Sequence, residues 1–264
     1  MLFLPEVTLA QNVFCFTTSV CGGVSDGAYK SFNLAMHVGD NKLRVATNRQ
    51  LLNAIIKQQV VNRMSPNEIQ ALAPIKWLNQ QHSSVVVDYF EVGMAGKEAN
   101  NESNGNVCDG IYTNVTNTPL AVMTADCLPV VFACNETGQV AAIHAGWRGL
   151  LNGILRDAVA TFSNTQTLNV WIGPSISKAH FQISHDIVEQ FTDFKDALTS
   201  DNETEKYLVD LAAIAQKQLE DLGVLAIQKS PICTYSNDNC FSHRRATHQG
   251  LLQTGRMATV VLRV

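Results

Sequence analysis

Residues 119–155, PLAVMTADCLPVVFACNETGQVAAIHAGWRGLLNGIL, decide the fold. Three runs rich in Val, Ala and Ile, namely Pro119 to Met123, Leu128 to Cys134 and Val140 to His144, each have the length of a strand. Their apolar content places them inside a sheet. After Gly149 the period changes, and Leu151, Ile154, Leu155, Ala158 and Phe162 follow the i, i+3, i+4, i+7 spacing of one helix face.

Working outward, Val85 to Phe90 is strand-like, and residues 91–107 (EVGMAGKEANNESNGNV) are a polar, Gly/Asn-rich surface excursion. Apolar density resumes directly beyond it, so it is not a domain linker. Residues 17–40 read as a long ordered loop of the kind that carries function, and Leu43, Ala46, Leu51, Ile55 and Ile56 predict an amphipathic helix over about 42–58. Toward the carboxyl end come a strand at 170–174 (VWIGP) and two helices, the second with Leu208, Leu211, Ala215, Leu219 and Leu222 on one face before Gly223. A final strand runs from Ala258 to Leu262. The pattern predicts an α/β (α+β) fold: one compact catalytic domain spanning 1–264, with mixed sheets flanked by helices.

The chain has 264 residues with 46% hydrophobic content, enough for a substantial core. Its formal charge of −4 gives no broad positive footprint, which speaks against nucleic acid as a partner. No stretch approaches the roughly 18 apolar residues a membrane span requires, and the first twenty residues lack a basic leader region and carry Glu6. The seven cysteines form an odd set without a C-x-x-C pair, which fits a reducing, cytoplasmic compartment.

Chemistry concentrates in three short segments: QQHSS around His82, TADCLP around Cys127 and IHAGWRG around His144. Each candidate lies at the edge of an apolar run, where α/β proteins place reactive groups. Two imidazoles and one thiolate leave a position open on a tetrahedral metal, as in catalytic zinc sites; by spacing alone the same residues also read as hydrogen-bonded histidines and a core thiol. Asp126 reads either as an orienting group or proton shuttle for the metal site, or as a turn carboxylate. Gly146 and Gly149 permit a tight strand-to-helix turn that, with Arg148, suits an anion such as phosphate, the ordinary alternative for Arg148 being a surface ion pair. A loop-rich segment near the carboxyl end gathers Arg244, Arg245 and Arg256 with His243 and His248, as a phosphate-binding cluster or as solvated charge.

Taken together, CGGVSDGAYKSFNLAMHVGD, NQQHSSVVV, CDGIYTN, AVMTADCLPVVF, AAIHAGWRGLLNGIL, IGPSI and FSHRRATHQGLLQTGRMA resemble the bacterial family first labelled polyphenol oxidoreductase laccase and now described as purine nucleoside phosphorylase. The resemblance implies zinc held by His82, Cys127 and His144, with copper as a substitute, in an architecture related to bacterial toxin deamidases. It also implies phosphorolysis of adenosine, inosine, guanosine and methylthioadenosine, accompanying adenosine deamination, and copper-dependent phenol oxidation. Ser25, Arg148, Arg244 and Arg245 are the substrate-contact candidates. Two readings from other classes stand beside it: a laccase-like copper oxidase, for which seven scattered histidines are few, and a metal-free Cys127 amidohydrolase acting on a cell-wall peptide precursor. The chain departs from the family pattern at Thr17–Ser19, where an Arg is usual, at Cys240, and in the HQGLLQ lengthening before Thr254.

Overall fold

The apolar runs of the decisive stretch form buried strands, and the computed structural model, which describes residues 1–92, 107–201 and 205–264, places them at the centre of the molecule. In chain order the strands are β1 (Leu2–Phe3), β2 (Val13–Thr18), β3 (Val86–Asp88), β4 (Gly110–Thr113), β5 (Leu120–Thr124), β6 (Leu128–Cys134), β7 (Val140–Ala145), β8 (Leu168–Ile172), β9 (Gln182–Ile183), β10 (Leu198–Asp201), β11 (Lys206–Val209), β12 (Ala226–Lys229) and β13 (Met257–Arg263). The α-helices are α1 (Lys42–Val60), α2 (Pro66–Gln70), α3 (Trp147–Leu151), α4 (Ile154–Val159), α5 (His185–Val188), α6 (Leu211–Asp221) and α7 (His243–His248).

A six-stranded mixed sheet runs β12-β8-β6-β7-β4-β3, and an antiparallel four-stranded sheet runs β1-β2-β13-β5. A small antiparallel sheet, β10-β11-β9, stands apart from both. Alternation along each strand builds the layers. On β6, Leu128, Val130 and Phe132 pack with Leu150, Leu155 and Ile214 of the helices, whereas Val131 and Ala133 pack with Val13, Val122 and Val261 of the opposite sheet. The far face of the four-stranded sheet, with Ala121, Val260 and Leu262, is covered by Leu52, Ile56 and Val60 of α1. The result is one compact domain with four layers, helix on sheet on sheet on helix. Among the described residues no helix is long and apolar enough to cross a membrane.

Several sequence expectations are corrected here. The helix expected from Leu151 to Phe162 is two short helices, because Gly153 takes φ 86° and breaks the run. Leu208 lies in β11, paired with Thr199, and α6 begins only after Asp210, whose side chain accepts from Ala213 N at 2.9 Å. Helix α1 forms where expected but turns a different face inward: Leu43 is 79% exposed, while Val45, Asn48, Arg49, Leu52 and Ile56 are buried. Most of the polar excursion, residues 93–106, lies outside the described residues.

The buried polar pair explains the rotation of α1. Arg49 donates from Nε to Leu34 O at 2.9 Å and lies 4.0 Å over the Trp77 ring. Asn48 donates to Ser25 Oγ, Ser31 O and Asn33 O, and accepts from Val24 N. The long loop, which begins at Ser19 because Thr17 and Thr18 end β2, is thereby pinned to α1. Replacing Asn48 by Ala leaves four polar groups, two buried and two part-buried, without this partner. Equilibrium urea unfolding is expected to show about 2–4 kcal/mol of lost stability, and a loss under about 0.5 kcal/mol, the scale of an ordinary surface change, would show that the loop holds itself.

Candidate metal centre and cleft

Strand alternation also places the site. On β7, His144 shares a face with Val140 and Ala142, which point toward the other sheet. Asp109, which immediately precedes β4, lies beside it: its carbonyl accepts His144 N at 2.7 Å, and its Oδ1 lies 2.7 Å from His144 Nδ1. Cys127 sits in the short turn between β5 and β6. His82 lies in the loop before β3 with φ 61°, in the left-handed region.

Two anchors hold that loop. The Gln80 side chain donates from Nε2 to Met123 O and accepts Met123 N on Oε1, both at 2.8 Å, extending the free edge of β5. Asp109 is the second anchor, accepting Gln81 N at 3.1 Å, His82 N at 3.0 Å, Ser83 N at 2.7 Å and Ser83 Oγ at 2.7 Å. Three successive N–H groups therefore converge on one carboxylate. Burial alone would push the Asp109 carboxyl up, but the His144 imidazole and Ser83 outweigh it and bring it down to about 2. Asp109 is thus an anion that orients His144 with Nδ1 toward itself, leaving Nε2 for another partner.

The ligand atoms of His82, Cys127 and His144 all lie within 4.8 Å of one another, and Cys127 Sγ is 3.6 Å from His82 Nε2. A tetrahedral centre with metal–sulfur near 2.3 Å and metal–nitrogen near 2.0 Å separates its ligand atoms by roughly 3.5 Å, so the spacing fits a metal. The donor chemistry fits as well. Burial would raise the Cys127 thiol, yet the imidazoles of His144 and His82 bring it to about 6; Cys127 and Asp109 raise His144 against its burial, so that a metal taking its Nε2 displaces a proton. A thiolate is thereby available near neutrality. Gly146 completes the cradle, since a Cβ there would stand 2.3 Å from His82 Cδ2 and 3.2 Å from Cys127 Sγ. Its φ of −73° suits any residue, so space alone demands glycine.

The triad forms one wall of a cleft of about 210 Å³ at the end of the sandwich, where the two sheets part. Gln80, Met123, Thr124 and Ala125 line it from the β5 side, His37 and Arg256 from loops, and His243 from the start of α7. Of the basic cluster expected near the carboxyl end, His243 and Arg256 line it, whereas the substrate-contact candidates Arg148, Ser25, Arg244 and Arg245 do not. Arg148 is exposed, its guanidinium 4.7 Å over the Trp147 ring. Ser25 donates to Asp40 and accepts from Asn48 within the pinned loop. Arg245 donates to the carbonyls of Thr234, Tyr235, Asn237 and Cys240, fastening the carboxyl-terminal loop. The Arg244 guanidinium donates to His180 O and lies 5.4 Å from the centre of the Phe181 ring.

Asp126 does not orient the metal ligands. Its Oδ1 accepts from Thr234 Oγ1 at 2.6 Å and its Oδ2 from Arg244 N at 2.7 Å, so it ties the Cys127 turn to α7. The orienting carboxylate is Asp109, which sequence reasoning passed over although it stands in CDGIYTN directly before a strand. Thr124, Gln80 and His37 are further cleft residues outside the sequence expectations, whereas His243 and Arg256 belong to the basic cluster expected there.

A family model described as multi-copper polyphenol oxidoreductase laccase matches residues 14–264. A Haemophilus influenzae protein named purine nucleoside phosphorylase is 39% identical over 97% of both chains. An Escherichia coli protein, named purine nucleoside phosphorylase YfiH, is 35% identical over 98% of both. The crystal structure of a Neisseria meningitidis protein covers 99% of this chain and 98% of its own, with a TM-score of 0.81 at 34% identity.

Two substitutions separate ligand geometry from fold. Gly146→Ala should abolish stoichiometric metal binding in elemental analysis while native circular dichroism persists. Asp109→Asn should weaken metal affinity about 10- to 100-fold in chelator competition. Full metal retention by both would refute the centre.

Proposed function

The chain belongs to the family described as multi-copper polyphenol oxidoreductase laccase, and on that premise we propose that it is a zinc-dependent purine nucleoside phosphorylase. Its substrates on this reading are adenosine, inosine, guanosine and methylthioadenosine, with adenosine deamination as an accompanying activity. The observation that carries the reading is similarity over 97% of both chains to a relative named purine nucleoside phosphorylase.

His82, Cys127 and His144 would hold the zinc, and the cleft side of the set leaves room for a reactant. When bound, the ion supplies Lewis acidity toward an oxygen of the reactants. In phosphorolysis a phosphate oxygen bonds to ribose C1′ as the C1′–N9 bond breaks. The electron pair leaves with the purine, which takes up a proton, and ribose 1-phosphate forms. The chain's own part is positional: Asp109 fixes His144, Gln80 holds the His82 loop against β5, and Met123 and Ala125 supply apolar wall for a base.

Deamination replaces the C6 amino group by oxygen from water and releases ammonia, a reaction for which zinc deaminases use a glutamate as acid and base. No Asp or Glu is among the described residues lining the cleft, which supports phosphorolysis as the main activity. Among the described residues, His82, Cys127 and His144 are the one group of three or more such donors placed to hold a metal. A multicopper oxidase requires a further cluster, so phenol oxidation is incidental on this reading. One observation favours a second activity: Asp109, His144, Cys127 and His82 form a carboxylate–imidazole–thiol arrangement suited to a metal-free thiol amidohydrolase on a cell-wall peptide precursor.

Protein purified without added metal should contain about one zinc per chain and convert adenosine to adenine and ribose 1-phosphate only when phosphate is present. Cys127→Ala should lower that turnover more than about a hundredfold. Metal-free protein with amide hydrolysis, and no nucleoside cleavage, would establish the thiol reading instead.

A further inference from the structure

The described cleft wall beyond the metal ligands offers hydrogen-bond donors and the permanent positive charge of Arg256. The chain carries a formal charge of −4, yet its described lining contains no carboxylate and does contain His37, His243 and Arg256. Burial, then the positive charges of Arg256 and Arg244, hold the His243 imidazole below its ordinary range, with Asp126 opposing them. Such a wall concentrates an anion inside a low-dielectric recess.

Arg256 is built into this position. Its backbone N donates to Asn33 Oδ1 at 2.9 Å, its carbonyl accepts Leu34 N at 3.2 Å, and its Nη1 donates to Thr254 O and Gly255 O. Asn33 O in turn accepts from Asn48, so the long loop that also supplies His37 fixes where the guanidinium stands. A second and independent observation comes from Thr124. Its residue is 1% exposed and lines the cleft, and its Oγ1 has no hydrogen-bond partner among the described residues. A buried hydroxyl without a partner costs on the order of 1–3 kcal/mol, and strand alternation turns this one to the same inter-sheet side as Leu120 and Val122. It therefore awaits a polar atom of whatever enters.

Resting on the phosphorolysis reading, we infer that Arg256, His243 and the Thr124 hydroxyl form the subsite for the phosphate co-substrate, opposite the metal ligands. The Arg256 fork and the His243 ring N–H donate to phosphate oxygens, and Thr124 Oγ1 donates to a third. The segments flagged in the sequence as basic thus divide by role: Arg245 fastens the loop, Arg244 braces it against His180, and Arg256 meets the ligand.

The test uses zinc-loaded protein and inorganic phosphate alone as well as the full reaction. Phosphate without nucleoside should raise the thermal midpoint of the wild type and leave that of Arg256→Met unmoved. In turnover, Arg256→Met should raise KM for phosphate roughly 10- to 100-fold while KM for inosine changes less than about threefold, with Arg256→Lys intermediate. Thr124→Val, nearly the same shape, should raise KM for phosphate roughly three- to tenfold without lowering the thermal midpoint of ligand-free protein, because the hydroxyl has no partner to lose. Nucleoside cleavage with phosphate KM unchanged in both variants overturns the subsite and leaves the phosphorylase reading intact. An increase confined to inosine KM in Thr124→Val likewise overturns the assignment of that hydroxyl. A phosphate-dependent stabilisation abolished by Arg256→Met, in a protein that cleaves no purine nucleoside, sustains the subsite and removes the phosphorylase reading.

Discussion

One carboxylate organises the centre. Asp109 accepts five hydrogen bonds from two segments far from each other in the chain, the 81–83 loop and the end of β7. Its ionised state is favoured by those donors against burial. The loop bearing His82 has no regular secondary structure of its own to fix it, and His82 sits in a left-handed conformation. With three backbone N–H groups satisfied by a single anion, that conformation is held without help from the metal. The same anion orients His144. Two of the three ligands are thus preset by one residue that touches neither reactant nor ion.

The placement of Asp109 follows from the layers. Because β4, β5 and β7 each send alternate residues into the space between the sheets, Asp109, Thr124 and His144 all reach that space at one end. Farther along the strands, Ile111, Val122 and Ala142 occupy the equivalent positions and pack dry. The polar residues come where the sheets part, and the apolar ones where they close. A cleft at this end is a consequence of strand length and register rather than of a separate ligand domain.

What could be read from sequence divides along the same line. Strands β6, β7 and β13, buried on both faces, announce themselves as short runs of Val, Ala and Ile, with Cys127 just before β6 and His144 near the end of β7, while His82 precedes the strand-like run of β3. Strand β2 escaped notice because its partner, β13, lies some 240 residues away, in the register Cys15↔Val261; no local window contains that pairing. The inward face of α1 was misread because Asn48 and Arg49, polar by type, are buried by the loop they bind. Asp126 stands next to Cys127 in sequence, whereas Asp109 meets His144 only across paired strands, a neighbour that no local window shows. Cross-strand neighbours govern the outcome, and a period-two reading of CDGIYT against AAIHA was the one local clue available.

A His₂Cys set does not by itself choose a reaction, since the same donors serve zinc hydrolysis, copper electron transfer or a thiol nucleophile. The surroundings discriminate. A deaminase needs a carboxylic acid within reach of the leaving amine, and a multicopper oxidase needs further ligands nearby; the described wall of this cleft supplies the Arg256 guanidinium and imidazole N–H donors instead. Such groups act on a reactant that brings negative charge, and of the reactions weighed, phosphorolysis alone has an inorganic anion as an obligatory partner. The family description and the names of the full-length relatives point to different chemistries, and Arg256 in a described cleft lining without a carboxylate argues for that of the relatives.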